Sequence, residues 1–373
     1  MCEKKLVPKL RFSGFDDEWE ENFLINYFDN RNERNFEKLE VLSVTINDGV
    51  LKRSELGSDR TNKDKTTMKH VIKGDLVYNP MFMWKGASGI SSYEGITSSD
   101  YIVLKSKENV NQEFFSHLFQ TKKSLNKFKN YSQGSLLERL RLLYPQFANI
   151  KMIVPSVKEQ EKIAIFLNKI DNKIELLEKR HKYYQEFKKY LMQQIFAQKL
   201  RFDFVEVKLK DISKINKGEQ LNKDVMIEDG KYYVLNGGKD PSGYTNEWNV
   251  SENTITISEG GNSCGYVNFN TEKFWSGGHC YYLSNLDENV DDYYLYNYLK
   301  FKEKFIMHLR VGSGLPNIQK RDIENIKIQI ISKNNQNKIS NLFLFVDKKI
   351  NSIQIQKENF ENFKKGLLQQ MFV

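Results

Sequence analysis

The sequence predicts an α+β protein in which two globular domains of mixed α/β fold are joined by two long helices packed as an antiparallel coiled coil, with a pseudo-two-fold internal repeat. Three observations lead to this prediction: the length of 373 residues, an internal duplication, and a heptad pattern within the duplicated segments. We predict the domains at 1–154 and 200–331, and the helices at 155–199 and 332–373.

The composition excludes several classes of protein. Hydrophobic residues make up 39 % of the chain, which is enough to build cores and excludes wholesale disorder. No stretch approaches the ~18 apolar residues that a membrane helix needs, and the N-terminus lacks the apolar run of a signal peptide. Three cysteines, Cys2, Cys264 and Cys280, cannot form a disulfide framework. We therefore expect a cytoplasmic protein without a membrane partner.

Residues 160–196 are repeated at 336–372, and 13 of the 37 aligned positions are identical. Both copies lack proline, and their apolar residues recur in a 4-3 spacing over about five heptads, which is typical of a coiled coil. The predicted seam residues are Ile163, Leu167, Ile170, Ile174, Leu177 and Leu191 in the first copy, and Ile339, Phe343, Val346, Ile350, Ile353 and Leu367 in the second.

Polar residues interrupt both seams at equivalent places, His181 with Lys357 and Lys188 with Lys364. Polar seam residues usually set register at a cost in stability, so we interpret His181 as a register residue and not as a catalyst. The spacing alone does not fix the direction of the helices. However, a domain-helix-domain-helix chain closes into a pseudo-two-fold object when its two helices run antiparallel.

The two globular parts share landmarks in the same order and otherwise diverge. Each has a predicted strand, a Gly-rich loop, a second strand and a helix. These lie at 73–77, 85–89, 101–104 and about 111–129 in the first part, and at 252–257, 259–265, 280–283 and about 291–308 in the second. The sequence therefore predicts divergent domains attached to repeated helices.

Positive charge is modest overall and clustered locally. The chain carries 57 Lys and Arg against 48 Asp and Glu, a formal net charge of +9. Basic residues crowd into 122–141 and 300–321, where each cluster holds a single acidic residue and contains a Gly-Ser turn. Basic side chains beside polar turns suit phosphate contact. One such run is commonly a solvated helix face, but its recurrence at equivalent places favours DNA as the partner.

No catalytic constellation emerges from the sequence. Residues 79–82 (Asn-Pro-Met-Phe) are similar to the Asn-Pro-Pro-Tyr/Phe motif of adenine methyltransferases but lack its second proline. None of the Gly-rich turns fits a nucleotide phosphate loop. Cys264, His279 and Cys280 are the one possible metal grouping, and their spacing does not suit structural zinc. We expect neither a catalytic residue nor a metal site.

Several motifs, in this order, resemble those of the specificity (S) subunit of type I restriction-modification systems. They are residues 8–15 with Trp19 near the start, 154–163 at the head of the first long helix, 188–196 at its end, and 312–318 in the turn that closes a target-recognition domain. Together with the duplication, the resemblance covers essentially the whole chain.

The resemblance implies a division of labour. Each target-recognition domain would read one half of a bipartite, asymmetric site in double-stranded DNA. The two conserved helices would set the spacer and dock two modification subunits, which methylate adenine with S-adenosylmethionine. Two restriction subunits, dependent on ATP and Mg, can add cleavage. This chain would bind no cofactor and do no chemistry itself.

Candidate DNA contacts are basic side chains that suit phosphates and polar loop side chains that suit base edges in the major groove. In the first domain they are Arg53, Arg60, Lys63, Lys65, Lys85, Ser88, Lys127, Lys129 and Ser135. In the second they are Lys217, Asn236, Lys239, Asn262, Ser263, Arg310, Ser313 and Lys320.

Two other interpretations stay open at this point. A stand-alone DNA methyltransferase or nuclease would need a cofactor loop or a carboxylate cluster, and the sequence shows neither. A coiled-coil adaptor that binds only protein would show no salt-dependent affinity for DNA.

Overall fold

The chain alternates globular and helical segments in the predicted order. The computed structural model describes residues 6–57, 64–136, 139–312, 314 and 316–373. The contacts divide the chain into two compact units, Met1–Glu178 with Ile355–Val373, and Lys179–Gln354. Each unit therefore contains one globular segment together with part of both long helices.

The first unit is built on a four-stranded antiparallel sheet of order β2-β9-β6-β7. Its strands are β1 Glu20–Phe23, β2 Phe28–Arg31, β3 Leu42–Thr45, β4 Gly49–Lys52, β5 Lys69–Val71, β6 Leu76–Tyr78, β7 Ser88–Ile90, β8 Gly95–Thr97, β9 Ile102–Ser106 and β10 Lys151–Val154. Its helices are α1 Gln112–Phe119, α2 Lys122–Tyr131, α3 Tyr144–Ala148 and the first part of α4 Val157–Phe196. Strands β3 and β4, β5 and β8, and β1 and β10 form additional pairs.

The second unit has a four-stranded antiparallel sheet of order β12-β18-β15-β16 and a three-stranded sheet of order β14-β13-β17. Its strands are β11 Val205–Lys208, β12 Lys214–Lys217, β13 Tyr232–Leu235, β14 Gly243–Thr245, β15 Thr254–Ser258, β16 Val267–Asn270, β17 Trp275–Ser276, β18 Cys280–Ser284 and β19 Lys327–Ile330. Its helices are α5 Leu209–Ile212, α6 Asp292–Phe301, α7 Glu303–His308, α8 Lys320–Glu324 and the first part of α9 Lys333–Gln370.

Both globular segments close in the same way. The first strand pairs antiparallel with the last, so that Glu20 of β1 faces Val154 of β10 and Val205 of β11 faces Ile330 of β19. The last strand then leads within a few residues into a long helix. The predicted α+β class, with two mixed domains and two long helices, is confirmed.

A repeated glutamine attaches each long helix to its globular segment. The Oε1 atom of Gln160 accepts a hydrogen bond from the backbone N–H of Asn111 at 3.1 Å. Gln336, its equivalent in the repeat, accepts one from the N–H of Asp291 at 2.9 Å. Asn111 and Asp291 cap α1 and α6 with their side chains. The duplication therefore extends to tertiary contacts.

Within each unit the long helices run antiparallel. In the first unit Asp171 of α4 pairs with Lys364 of α9 at 2.5 Å, and Glu178, further along α4, pairs with Lys357, which lies earlier in α9. In the second unit Lys188 pairs with Asp347 at 2.7 Å. The twelve predicted seam residues are all buried or half-buried. In the part of the chain that the structure describes, no helix is long and apolar enough to cross a bilayer.

The last phenylalanine of each repeat enters an aromatic core. Phe372 packs against Phe114 of α1 and Trp19, with ring centroids 5.4 and 6.4 Å away. Its repeat equivalent Phe196 packs against Tyr294 of α6 at 5.6 Å and Phe343 of α9 at 5.8 Å. Each core therefore combines a domain helix with the end of a repeated helix.

One prediction about the globular segments is wrong in detail. The single helices expected at about 111–129 and 291–308 are each broken in two. Between α1 and α2 the side chain of Thr121 accepts a hydrogen bond from the N–H of Ser124 and so caps a new helix. Between α6 and α7, Lys302 is both the C-cap of one helix and the N-cap of the next.

Replacing Phe343 with alanine should destabilise the second unit by about 3–5 kcal/mol, because the ring is fully buried and a cavity would remain. Phe345 lies two residues along the same helix and is 56 % exposed. Phe345→Ala should change the free energy of unfolding by no more than about 0.5 kcal/mol. Urea denaturation of both variants measures this difference, and equal midpoints would contradict the assigned seam.

Candidate nucleic-acid interface

Aromatic and basic side chains meet on the surface of the first unit. Trp84 lies in a short 3-10 turn, Met83–Lys85, that follows β6 and packs near α2. The Nζ atom of Lys85 lies 4.9 Å from the Trp84 ring centroid, and that of Lys129 lies 5.6 Å from it. We call Phe82, Trp84, Lys85 and Lys129 the Trp84 surface. Its cations suit phosphates, and its rings suit apolar contact with bases.

The backbone ahead of Trp84 is fixed by local hydrogen bonds. The side chain of Asn79 accepts a hydrogen bond from the N–H of Met81 at 3.0 Å, and the carbonyl of Pro80 accepts one from Leu142 at 3.0 Å. Gly86 then adopts a φ of +95°, which favours glycine. Residues 79–82 therefore form a turn that presents the Trp84 surface, with the Asn79 oxygen engaged in that turn.

Two predicted DNA contacts of the first domain bind within the protein. The hydroxyl of Ser88 is buried and lies 3.2 Å from the side-chain nitrogen of Gln120, which donates to it. The Nζ atom of Lys127 donates to the carbonyl of Lys151 at 2.6 Å. Both contacts secure the turn and α2 that carry the Trp84 surface.

The remaining predicted contacts of the first domain are spread over the surface. Arg53 and Lys65 are half-buried, and Ser135 is exposed. None of these three belongs to the Trp84 surface. Arg60 and Lys63 lie outside the described residues.

A buried carboxylate organises the corresponding surface of the second unit. Glu259 follows β15 and accepts hydrogen bonds from Lys217 Nζ at 2.7 Å and from Tyr281 Oη at 3.0 Å. Its other oxygen, Oε2, lies 3.6 Å from His279 Nδ1. Burial, followed by the neighbouring Glu259 carboxylate, raises the pKa of Tyr281. The phenol therefore stays protonated and donates to the carboxylate.

Three loops converge at Glu259. Its backbone carbonyl accepts a hydrogen bond from Ile318 N–H at 2.9 Å, and Gly260 pairs with Asn317. Asn236 accepts from the N–H of His279 at 3.2 Å, which brings the 236–239 loop to the same place. The structure thus brings together Lys217 and Asn236, two of the predicted contacts, around an acidic anchor.

The other predicted contacts of the second domain are placed separately. Asn262 is exposed and Ser263 half-buried in the short helical turn after Glu259. Lys239 lies 5.5 Å from the Tyr266 ring, Arg310 is exposed, and Lys320 pairs with Glu324 at 3.7 Å. Ser313 lies outside the described residues.

Some interface candidates were missed by reasoning from the sequence. Lys273 lies 4.3 Å from the ring of Trp248 and is such a candidate, whereas Lys300, which lies 3.8 Å from the ring of Tyr266, also binds within the protein to the Val267 carbonyl. The partners are 25 and 34 residues apart in the chain, so no local motif reveals them. For Trp84 a signal existed, since it directly precedes Lys85.

The cysteines and histidines do not form a metal-ligating cluster in the described ranges, where no group of three or more His, Cys, Asp or Glu side chains could hold an ion. Cys264 and Cys280 are buried free thiols. Burial raises the pKa of the Cys280 thiol to about 11, which keeps it protonated and unreactive at neutral pH.

Comparison with known proteins gives one consistent family. A family model described as the type I restriction modification DNA specificity domain matches residues 85–183 and 202–360. A putative type I specificity subunit of Mycoplasma pneumoniae is 37 % identical over 124 residues, 33 % of each chain. The putative type I restriction enzyme MjaX specificity subunit of Methanocaldococcus jannaschii is 23 % identical over 361 residues, 87 % of this chain and 84 % of that one.

The fold also matches solved structures. The type I restriction-modification S subunit of M. genitalium has a TM-score of 0.72 at 16 % identity, covering 98 % of this chain and 99 % of that chain. A chain from a study of complex assembly in a type I R-M system has a TM-score of 0.55 at 14 % identity, covering 95 % and 97 %. Matches to the first curated relatives span only about a third of their length.

Proposed function

The chain belongs to the family of type I restriction modification DNA specificity domains, and from this premise we propose that it is the DNA sequence-specificity subunit of a type I restriction-modification complex. Each globular domain reads one half of a bipartite, asymmetric site in double-stranded DNA. The observation that best supports this proposal is that two divergent surfaces, one centred on Trp84 and one on Glu259, are attached to repeated helices. The attachment is the same in both units, through the hydrogen bonds of Gln160 and Gln336.

The outer faces of the long helices support the docking of two modification subunits. In the first unit Ile165, Leu176 and Phe363 are exposed, and in the second Tyr183 and Phe345 are exposed. Rows of exposed aliphatic and aromatic side chains on a long helix are typical of an interaction surface. In this proposal the modification subunits methylate adenine with S-adenosylmethionine. Two restriction subunits, which depend on ATP and Mg, cleave the DNA.

The alternatives have weaker support. A stand-alone methyltransferase would use the polar groups of residues 79–82, but the Asn79 oxygen is engaged in its own turn. A protein-only adaptor gives no reason for two lysines to flank the half-buried ring of Trp84. DNA reading accounts for both domains, because aromatic rings and cations are the groups that contact nucleic acid.

The assembled complex should bind its DNA site with a steep salt dependence. Lys85→Ala with Lys129→Ala should lower the slope of log affinity against log salt by about two, since each lost phosphate contact removes about 0.9. The probe is a duplex carrying the split motif found by methylome sequencing of cells with and without this chain and its modification partner.

Lys122→Ala with Lys123→Ala is the matched control, because both lysines lie on the same helix but line a cleft beside the end of α9. This pair should leave the slope unchanged. A wild-type complex whose affinity for the duplex is insensitive to salt would favour the adaptor interpretation. If both double variants show the same slope of log affinity against log salt, the Trp84 surface does not contact DNA.

A further inference from the structure

A carboxylate in each unit joins the globular segment to both long helices. In the first unit, Asp171 of α4 lies 2.5 Å from Lys364 Nζ of α9 and 3.9 Å from His117 Nδ1 of α1. We call these three residues the Asp171 node. It is the meeting point of a domain helix with two helices that are far apart in the sequence.

The second unit contains the same arrangement, the Asp347 node. Both carboxylate oxygens of Asp347, on α9, accept hydrogen bonds from Lys188 Nζ of α4 at 2.7 Å. One of them also accepts a hydrogen bond from the hydroxyl of Tyr293 of α6 at 2.5 Å. Tyr293 is buried and Lys188 and Asp347 are half-buried, so these bonds are partly shielded from water.

The two nodes are equivalent by the internal repeat. Asp171 aligns with Asp347, and Lys188 aligns with Lys364. The aspartate lies on α4 in the first unit and on α9 in the second, and the lysine lies on the other helix in each case. The same Asp–Lys ion pair therefore forms twice between the long helices, once in each unit, from different pairs of chain segments. This recurrence indicates that the ion pair is a regular feature of the unit.

The physical character of the nodes differs from that of the seam. Apolar burial is non-directional, so leucine and isoleucine seams tolerate small shifts of one helix along another. Hydrogen bonds weaken steeply when their angle or distance changes. A polar group on a helix seam therefore specifies register more than it adds stability. In the second unit, the hydrogen bond from the Tyr293 hydroxyl of the domain helix extends that specification to the domain.

We propose that Asp171 and Asp347 are positioning residues that fix the orientation of each recognition domain on the helices, and thereby the base-pair spacing that the complex accepts between half-sites. This inference rests on the proposed function. It concerns how the reading surfaces are held, and assigns no base contact to either node.

The two nodes differ in strength. Burial lowers the pKa of His117 below its usual range, which favours the neutral ring at neutral pH, and its Nε2 atom lies 2.8 Å from Asn168 Oδ1. His117 therefore contributes little attraction to the Asp171 carboxylate, whereas Tyr293 donates a short hydrogen bond to Asp347. Asp347→Asn should consequently have the larger effect on spacing.

The test uses the complete complex with its modification subunits. Duplexes carry both half-sites separated by the cognate spacer, or by one base pair fewer or more, and methylation of each is measured. Asp347→Asn should reduce the preference for the cognate spacer about tenfold, the effect of losing a charge-assisted hydrogen bond. Asp171→Asn should reduce it by less, and Tyr293→Phe, which keeps the ring packed, should reduce it measurably.

Lys327→Gln is the matched control, because the ion pair of Lys327 with Glu206 joins two strands of the second globular segment and involves neither long helix. It should leave the spacer preference unchanged. If the node variants lose activity equally on all spacers, or keep the wild-type preference, the positioning role is overturned. A wild-type complex without any preference for a split site would overturn the proposed function, and with it this inference.

Discussion

Inserting one heptad into each long helix, after Lys179 and after Ile355, should lengthen the spacer between the two half-sites while leaving both half-site sequences unchanged. These positions lie at the boundaries between the two units, Glu178 with Lys179 and Gln354 with Ile355. Each insertion point lies one residue beyond its boundary, so the contacts within each unit are retained except those of Lys179 and Ile355. Seven residues add about 10 Å of helix, which corresponds to about three base pairs of DNA.

The helical phase is the reason for choosing seven residues. A heptad changes the phase of a straight helix by only ~20°, so the seam continues across the insertion. Each added base pair also rotates a half-site about the DNA axis, with 10–10.5 base pairs per turn, which opposes the full extension. We therefore expect a gain of about one to three base pairs.

Methylome sequencing of cells that carry the lengthened chain with its modification partner measures the new spacer. A heptad in α4 alone is the matched control. This single insertion shifts α4 by seven residues relative to α9, so that residues paired in the wild type, such as Lys188 and Asp347, no longer face each other. That variant should lose methylation. An unchanged spacer in the double insertion would contradict the view that the helices set the distance.

The long helices could be predicted because their signal is local and repeated. A 4-3 apolar spacing recurs with each turn of the helix, and duplication presents it twice. The seam polar residues Lys188 and Lys364 were also recognisable as interruptions. Their partners were not, because the direction of packing decides which carboxylate faces each lysine. Asp347 and Asp171 became assignable only with the antiparallel register of each unit.

The reading surfaces were less accessible to sequence reasoning. Lys85 and Lys129 are 44 residues apart in the chain, and only the packing of α2 near the Met83–Lys85 turn brings them to one ring. Glu259 was not predicted as a site residue, because a glutamate at the start of a Gly-rich loop is common and indicates no particular function. Its importance comes from Lys217 and Tyr281, which reach it from other strands. The sites that diverge between domains are thus the ones built from non-local contacts.

Replacing residues 1–150 with the first recognition domain of another specificity subunit should change one half of the methylated motif and leave the other half as it was. The second reading surface depends on Glu259 and its neighbours, which all belong to the second unit. Because each wrong base pair costs about 1–3 kcal/mol, affinity for the original site should fall roughly a thousandfold or more.

The replaced segment makes specific contacts with the long helices and with β10, and the chimera must keep them. Both guanidinium nitrogens of Arg11 that face Glu159 donate to its carboxylate at 2.8 Å, and Glu159 is buried at the head of α4. Trp19 packs on Phe372, and Glu20 of β1 faces Val154 of β10. The incoming domain must therefore supply an arginine and a tryptophan at the positions of Arg11 and Trp19.

A chimera with Arg11→Ala is the matched control for this requirement. Glu159 is buried and Arg11 is half-buried, so removing the guanidinium leaves a buried acceptor unsatisfied and costs about 1–3 kcal/mol. The control chimera should therefore unfold at lower urea concentration while showing the same new half-site in whatever fraction assembles. A stable chimera that alters both halves of the motif would show that the two domains do not read independently, since nothing in the second unit was changed.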